Sequence, residues 1–80
     1  MISYISIYPF PDTINFLKNN NALITKIEKD THTTIKIIDK RYDPSISIDG
    51  QFEDVHKARI ILQEIEKDNY REAYIEKNYN

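Results

Sequence analysis

The side chains with the widest chemical reach in this sequence are few. His32 and His56 are its two histidines, and there is no cysteine. His56 follows Glu53 by one helical turn, a spacing that makes a surface pair far more often than an acid–base site. A metal at His56 and Glu53 would need a third ligand, and no HExxH or paired-ligand spacing supplies one. No glycine-rich phosphate loop is present either. The sequence therefore points away from an enzyme, and neither metal nor cofactor is expected. Basic charge and aromatic surface remain. Residues 18–41 hold Lys18, Lys26, Lys29, Lys36, Lys40 and Arg41 against Glu28, Asp30 and Asp39, a net +3. Residues 1–17 are net −1 and residues 42–80 net −4, so the whole chain is −2. A basic middle can attract phosphates locally. The plainer reading is that these bases solvate a helix and a strand.

The elements that must position these residues follow from periodicity. Ile2 to Tyr8 is β-branched and aromatic, with Ile5 and Ile7 on one face, and Pro9 and Pro11 close it. Asp12 or Thr13 is expected to cap a short helix carrying Ile14, Phe16 and Leu17. Lys18, Asn19, Asn20 and Asn21 form a polar break in which asparagine favours a tight turn with left-handed backbone, and Asn21 is placed to cap the next helix. That helix runs over 22–31, with Leu23, Ile24 and Ile27 apolar. Alternation then predicts strands over 33–38 and 45–48, paired as an antiparallel hairpin with Ile35, Ile37, Ile46 and Ile48 inward. Gly50 ends the second of these strands. From residue 51 to about 67, Phe52, Val55, Ala58, Leu62 and Ile65 mark a long amphipathic helix, with Ile61 widening its stripe.

The expected order is β-α-α-β-β-α: an α+β fold of two layers, a three-stranded antiparallel sheet with three helices on one face. Its core is read as Ile5, Ile7, Leu17, Ile24, Ile27, Ile35, Ile37, Ile46, Ile48, Val55, Ala58, Leu62 and Ile65. One domain is expected over residues 1–68, followed by a helical extension or flexible tail over 69–80. A chain of 80 residues supports one small core, and without cysteine neither a disulfide nor a thiolate zinc site can staple it. No apolar run reaches the ~20 residues of a membrane span, and the first ten residues lack the marks of a secretory signal. The expectation is an intracellular protein, cytoplasmic or nuclear, with no membrane and no small-molecule substrate.

Over residues 16–37 the sequence FLKNNNALITKIEKDTHTTIKI resembles the K-homology (KH) domain of the type I topology: two aliphatics, a GxxG loop, a helix with two Ile, a Thr-Gly turn and an Ile-x-Ile strand. Residues 45–59, SISIDGQFEDVHKAR, resemble its third strand, glycine, and a helix with Val-x-x-Ala. The resemblance spans roughly residues 4–67. It implies single-stranded RNA or DNA clamped by the GxxG loop, where missing Cβ atoms let backbone N–H groups approach phosphates.

The chain departs from that pattern where it would touch nucleic acid. Lys18, Asn19, Asn20 and Asn21 occupy the GxxG positions, and His32 replaces the turn glycine. Lys18 with three amides makes a replacement clamp on one reading and a bare helix connector on the other. By the same resemblance Lys18, Lys26 and Lys36 border the nucleotide path, Ile24 floors it, and Lys40 and Arg41 add contacts. The outer sheet face, with Tyr4, Tyr8, Lys36 and Ile38, and the later Tyr70 and Tyr74 offer aromatic surface for a protein partner or self-association. The expected function is a non-catalytic KH-like module of an RNA-associated protein, acting as a structural or protein-interaction domain. The alternatives are weak single-stranded RNA binding through the 18–41 face, or a small ribosome- or ribonucleoprotein-associated subunit.

Overall fold

A computed structural model of the protein describes the backbone of residues 1–79 and side chains as far as Asn69. Tyr70 and Tyr74, named above as interface candidates, lie outside the described side chains. The elements run β1 (Ile2–Ile7), α1 (Pro11–Lys18), α2 (Asn21–Thr31), β2 (Thr34–Ile38), β3 (Ser45–Gln51) and α3 (Phe52–Tyr79). The sheet has the order β1-β3-β2, both pairings antiparallel. In register, Ile5, Ile48 and Ile35 form one row across the sheet and Ile7, Ile46 and Ile37 the next. Those rows meet the helices, so alternation in the sequence became one buried face.

Ile14, Leu17, Ile24, Ile27, Ile35, Ile46, Ile48, Val55, Ala58 and Leu62 are buried, and Ile5, Ile7, Leu23, Ile37 and Ile65 pack against them half-buried. Ile14 belongs to this core although periodicity had singled out only Leu17 on α1. Two expected core-face residues are exposed instead. Ile61 sits about 100° round the helix from Leu62, away from the sheet, and Phe52 opens α3 at the domain's edge, 63% exposed. On the outer face of β3, Ser45 and Ser47 are buried; Ser47 is flanked by Ser6 on one side and Lys36 on the other, and Ser45 by Ile38.

Helix starts differ from expectation by one to three residues, and α3 runs to Tyr79 where the periodicity had marked it only to about residue 67. Helix α1 starts at Pro11 with Phe10 as its N-cap: the Phe10 carbonyl accepts from Thr13 and Ile14 N–H at 3.0 and 3.1 Å. Proline suits that first position because its missing N–H would have had no helical partner. Asn20, not Asn21, caps α2. Gly50 lies inside β3 rather than ending it, and no connector separates β3 from α3. A Cβ at Gly50 would stand 3.1 Å from Thr33 Cγ2 and 3.3 Å from the His32 carbonyl oxygen. A side chain at Gly50 would press on the turn from α2 into β2, which would have to give by a few tenths of an ångström.

Candidate nucleic-acid interface

Helices α1 and α2 meet at a corner only two residues long. Asn19 (φ −88°, ψ 0°) closes α1 and Asn20 (φ −129°, ψ 56°) opens α2. Neither adopts the left-handed backbone expected of this stretch; His32 is the one non-glycine residue with positive φ among those described. The corner turns without it because its asparagines bind the preceding helix. The Asn19 and Asn20 side-chain amides donate to the Asn15 and Phe16 carbonyls at 3.0 and 2.6 Å. Their backbone N–H groups donate to Asn15 and Leu17 carbonyls at 3.2 and 3.1 Å. A helix C-terminus leaves its last carbonyls without intrahelical donors, and these asparagines supply donors from side chain and backbone. The Asn21 carbonyl accepts from the Thr25 hydroxyl at 3.1 Å.

The bases around this corner are engaged to different degrees. Lys18 forms an ion pair with Asp39, tying the end of α1 to the residue after β2. Lys26 pairs with Asp30 one turn along α2, at 2.8 Å. The hydrogen bond to Asp30, and then its charge, hold the Lys26 ammonium above its ordinary value of 10.5. Lys36 is exposed on the sheet face opposite the helices, in the row of Ser6 and Ser47. Lys18, Lys26 and Lys36 are therefore divided between the two faces of the domain. Ile24 is 5% exposed and belongs to the core, so its side chain does not floor an open groove.

Lys40 and Arg41 are exposed in the loop between β2 and β3. The Arg41 guanidinium stands 5.3 Å from the centroid of the Tyr42 ring, and Tyr42 is 87% exposed. This cation–aromatic pair was not singled out in the sequence reading, although the adjacency of arginine and tyrosine in a polar loop was its signal.

His32 closes α2 in the left-handed region (φ 56°, ψ 43°), the conformation that commonly ends a helix. Its neighbours fix the turn: Thr31 Oγ1 donates to the Ile27 carbonyl at 2.6 Å and lies 2.7 Å from Thr33 Oγ1. The Glu28 carboxylate accepts from Ile35 N–H at 2.8 Å, joining α2 to β2. Tyr4 and Tyr8 are both exposed, but only Tyr4 lies within β1, and Ile38 at the far edge is half-buried. Among the described residues no group of three His, Asp or Glu could hold a metal ion, and no helix is long and apolar enough to cross a membrane.

No protein-family model matches the sequence, and no curated protein does. Solved structures do match. The N-terminal KH domain of human BICC1 superposes with a TM-score of 0.71 at 23% identity, covering 82% of this chain and 97% of that one. The first KH type I domain of human Vigilin superposes with a TM-score of 0.74 at 23% identity, covering 89% of this chain and 78% of that one. With its β-α-α-β-β-α order and β1-β3-β2 sheet, the chain has the type I KH fold.

Proposed function

We propose that this chain is a non-catalytic KH-like module of an RNA-associated protein, whose α1–α2 corner does not clamp a phosphate backbone and whose role is contact with other proteins. One observation carries the reading. At the positions corresponding to GxxG, the Asn19 and Asn20 amides are bonded to the end of α1, and Lys18 is paired with Asp39. Phosphate binding would have to break these contacts and then pass the Lys18 and Asn21 side chains, which occupy the space that glycine leaves open. The net charge of −2 adds no general attraction for polyanions.

Fluorescence polarisation of labelled short RNA pools at low salt tests the reading. Binding is expected to be weak and unchanged in the triple variant Lys18→Glu, Lys26→Glu, Lys36→Glu. A drop of about tenfold or more in that variant, with a steep salt dependence, overturns it. A second reading is supported by the exposed Arg41–Tyr42 pair beside Lys40, which offers a base one stacking surface next to two cations. Under it, Tyr42→Ala and Arg41→Ala each weaken RNA binding while the triple lysine variant does not. The aromatic face with Tyr4 and Tyr8, together with Tyr70 and Tyr74, is the proposed protein interface. Charging Tyr4 and Tyr8 then abolishes self-association or partner capture.

A further inference from the structure

The helical layer holds an open cleft between α1, α2 and α3. Phe16 near the end of α1, Leu23 in the first turn of α2 and Ile65 on α3 form apolar walls around about 360 Å³, with Asp68 and Asn69 on the α3 side. Phe16 is 37% exposed, and Leu23 and Ile65 are half-buried. Ile61, one turn before Ile65 on the same side of α3, is 36% exposed and extends this surface. Apolar side chains grouped in this way mark a contact surface, where scattered ones do not. Asp68 is the only charged residue of the cleft, and it has no ion-pair partner among the described residues. Such a cleft suits a group that is apolar in its body and cationic at its edge.

The loop between β2 and β3 carries a group of that kind. Tyr42 is 87% exposed, with the Arg41 guanidinium 5.3 Å from its ring centroid and Lys40 one residue further back. Tyr4, Tyr8, Phe10 and Phe52 are exposed as well, but none has a basic residue beside it in the sequence. The loop is held in shape. Asp43 N–H donates to the Lys40 carbonyl at 3.3 Å, closing a turn with Arg41 and Tyr42 at its tip, and Asp39 before it is tied to Lys18. A tip already ordered loses little conformational freedom on docking. Tyrosine and arginine are also the side chains that most often anchor protein contacts. Tyr42 does not line the cleft of its own chain and stands in solvent, so a single chain does not fill its own cleft.

We infer that the chain self-associates by inserting the Arg41–Tyr42 tip of one copy into the α1–α2–α3 cleft of a second, with the Tyr42 ring against Phe16, Leu23 and Ile65 and the Arg41 guanidinium paired with Asp68. The distribution of charge favours the same occupant. Residues 18–41 are net +3 and residues 42–80 net −4, so loop and cleft present opposite charge although each copy carries −2. The contact is heterologous, loop to cleft, and each copy keeps one of each for further neighbours unless the contacts close on themselves. Self-association is thereby assigned to loop and cleft, within the protein-contact reading on which this rests, and the Tyr4–Tyr8 surface is left to a different partner. A Tyr42 ring seated in the cleft cannot also stack on a base, so this contact and RNA binding by the same loop exclude each other.

Analytical ultracentrifugation of the full chain tests this. A contact of this size is weak, so the weight-average mass should rise between about 10 μM and about 1 mM protein. Tyr42→Ala should weaken association about tenfold or more, while Tyr42→Phe keeps the ring and leaves it unchanged. Arg41→Glu and Asp68→Lys should each weaken it about fivefold, and the chain carrying both should return to the unaltered value. Arg41, Tyr42 and Asp68 are all exposed, so loss of association in these variants is not a folding defect. A mass that stays constant with concentration, or a double variant no better than the single ones, overturns the inference. So does association that survives Tyr42→Ala; if charging Tyr4 and Tyr8 then removes it, the contact lies on the outer sheet face and the wider protein-contact reading stands. Weaker binding of labelled RNA by Tyr42→Ala, with no change in mass, gives the loop to RNA and overturns the inference as well.

Discussion

The α1–α2 corner and the β1–α3 flank have opposite relations to their own polar groups. At the corner, which holds the positions that match GxxG in the sequence resemblance, the amides of Asn19 and Asn20 and the ammonium of Lys18 are bound by the protein itself. At the flank, the outward N–H and C=O groups of Ile2, Tyr4 and Ser6 and one arginine Nε–H lack partners among the described residues. A polar group already satisfied inside the fold must lose that bond before it can recognise anything, whereas an unsatisfied one gains on binding. Richness in polar side chains is therefore a poor guide to a site; the corner has more of them than the flank.

The comparison can be broken most forcefully through the packing beneath each region. Leu17 is fully buried under the corner, so Leu17→Ala should cost about 2–5 kcal/mol in urea unfolding and loosen both asparagine contacts. Ile5→Ala, half-buried at the flank, should cost about 1–2 kcal/mol. Equal losses would mean that the flank is as closely packed as the corner.

Next in size come two changes with opposite signs. Asn20→Ala removes the donor to the Phe16 carbonyl and should destabilise by about 0.5–1.5 kcal/mol. Arg59→Leu removes a buried Nε–H with no acceptor among the described residues together with the exposed bond to His56 Nδ1, and these offset so that the change should be near neutral in the same assay. Two losses of similar size would show that the bond from Arg59 to His56 outweighs its unpaired Nε–H. His32→Gly relieves the left-handed strain of a residue with a Cβ and should raise stability by about 1 kcal/mol, checked by thermal melting.

The smallest effects belong to the exposed ion pairs. Lys18→Ala should cost under about 1 kcal/mol, and less in 1 M salt. For Lys26 the folded state raises the pKa, so whatever stability its pair with Asp30 contributes is fully present below 10.5 and fades as pH rises through the raised value. Melting curves of the chain and of Lys26→Ala should thus differ by a constant amount from pH 7 to 9 and converge above 10.5. A difference that grew at high pH would reverse the assignment.

Much of this architecture was legible beforehand. Alternating isoleucines in three strands and the Val55–Ala58–Leu62 spacing each point to one buried face, and one arrangement buries all of them. Ile14 was read as an apolar residue of α1 but left out of the core, and Thr13 beside it, polar yet buried, blurs the stripe there. The role of Gly50 was misjudged as a strand end, since its cause is a turn some 17 residues earlier that packs against it. At the corner the sequence showed which residues stand at the GxxG positions but not where their amides point. Asparagine can reach forward to a phosphate or back to a carbonyl with equal chemistry.

By itself, then, the sequence determined the order of elements, the inward faces and the absence of glycine at the corner, because each depends on local periodicity or residue type. Only the tertiary structure decided which polar groups are already paired and which edge strand is left open. Those outcomes depend on what lies across the fold: Asp39 opposite Lys18, β3 on one side of β1 with no described strand on the other, and a buried Arg59 Nε–H with no acceptor among the described residues.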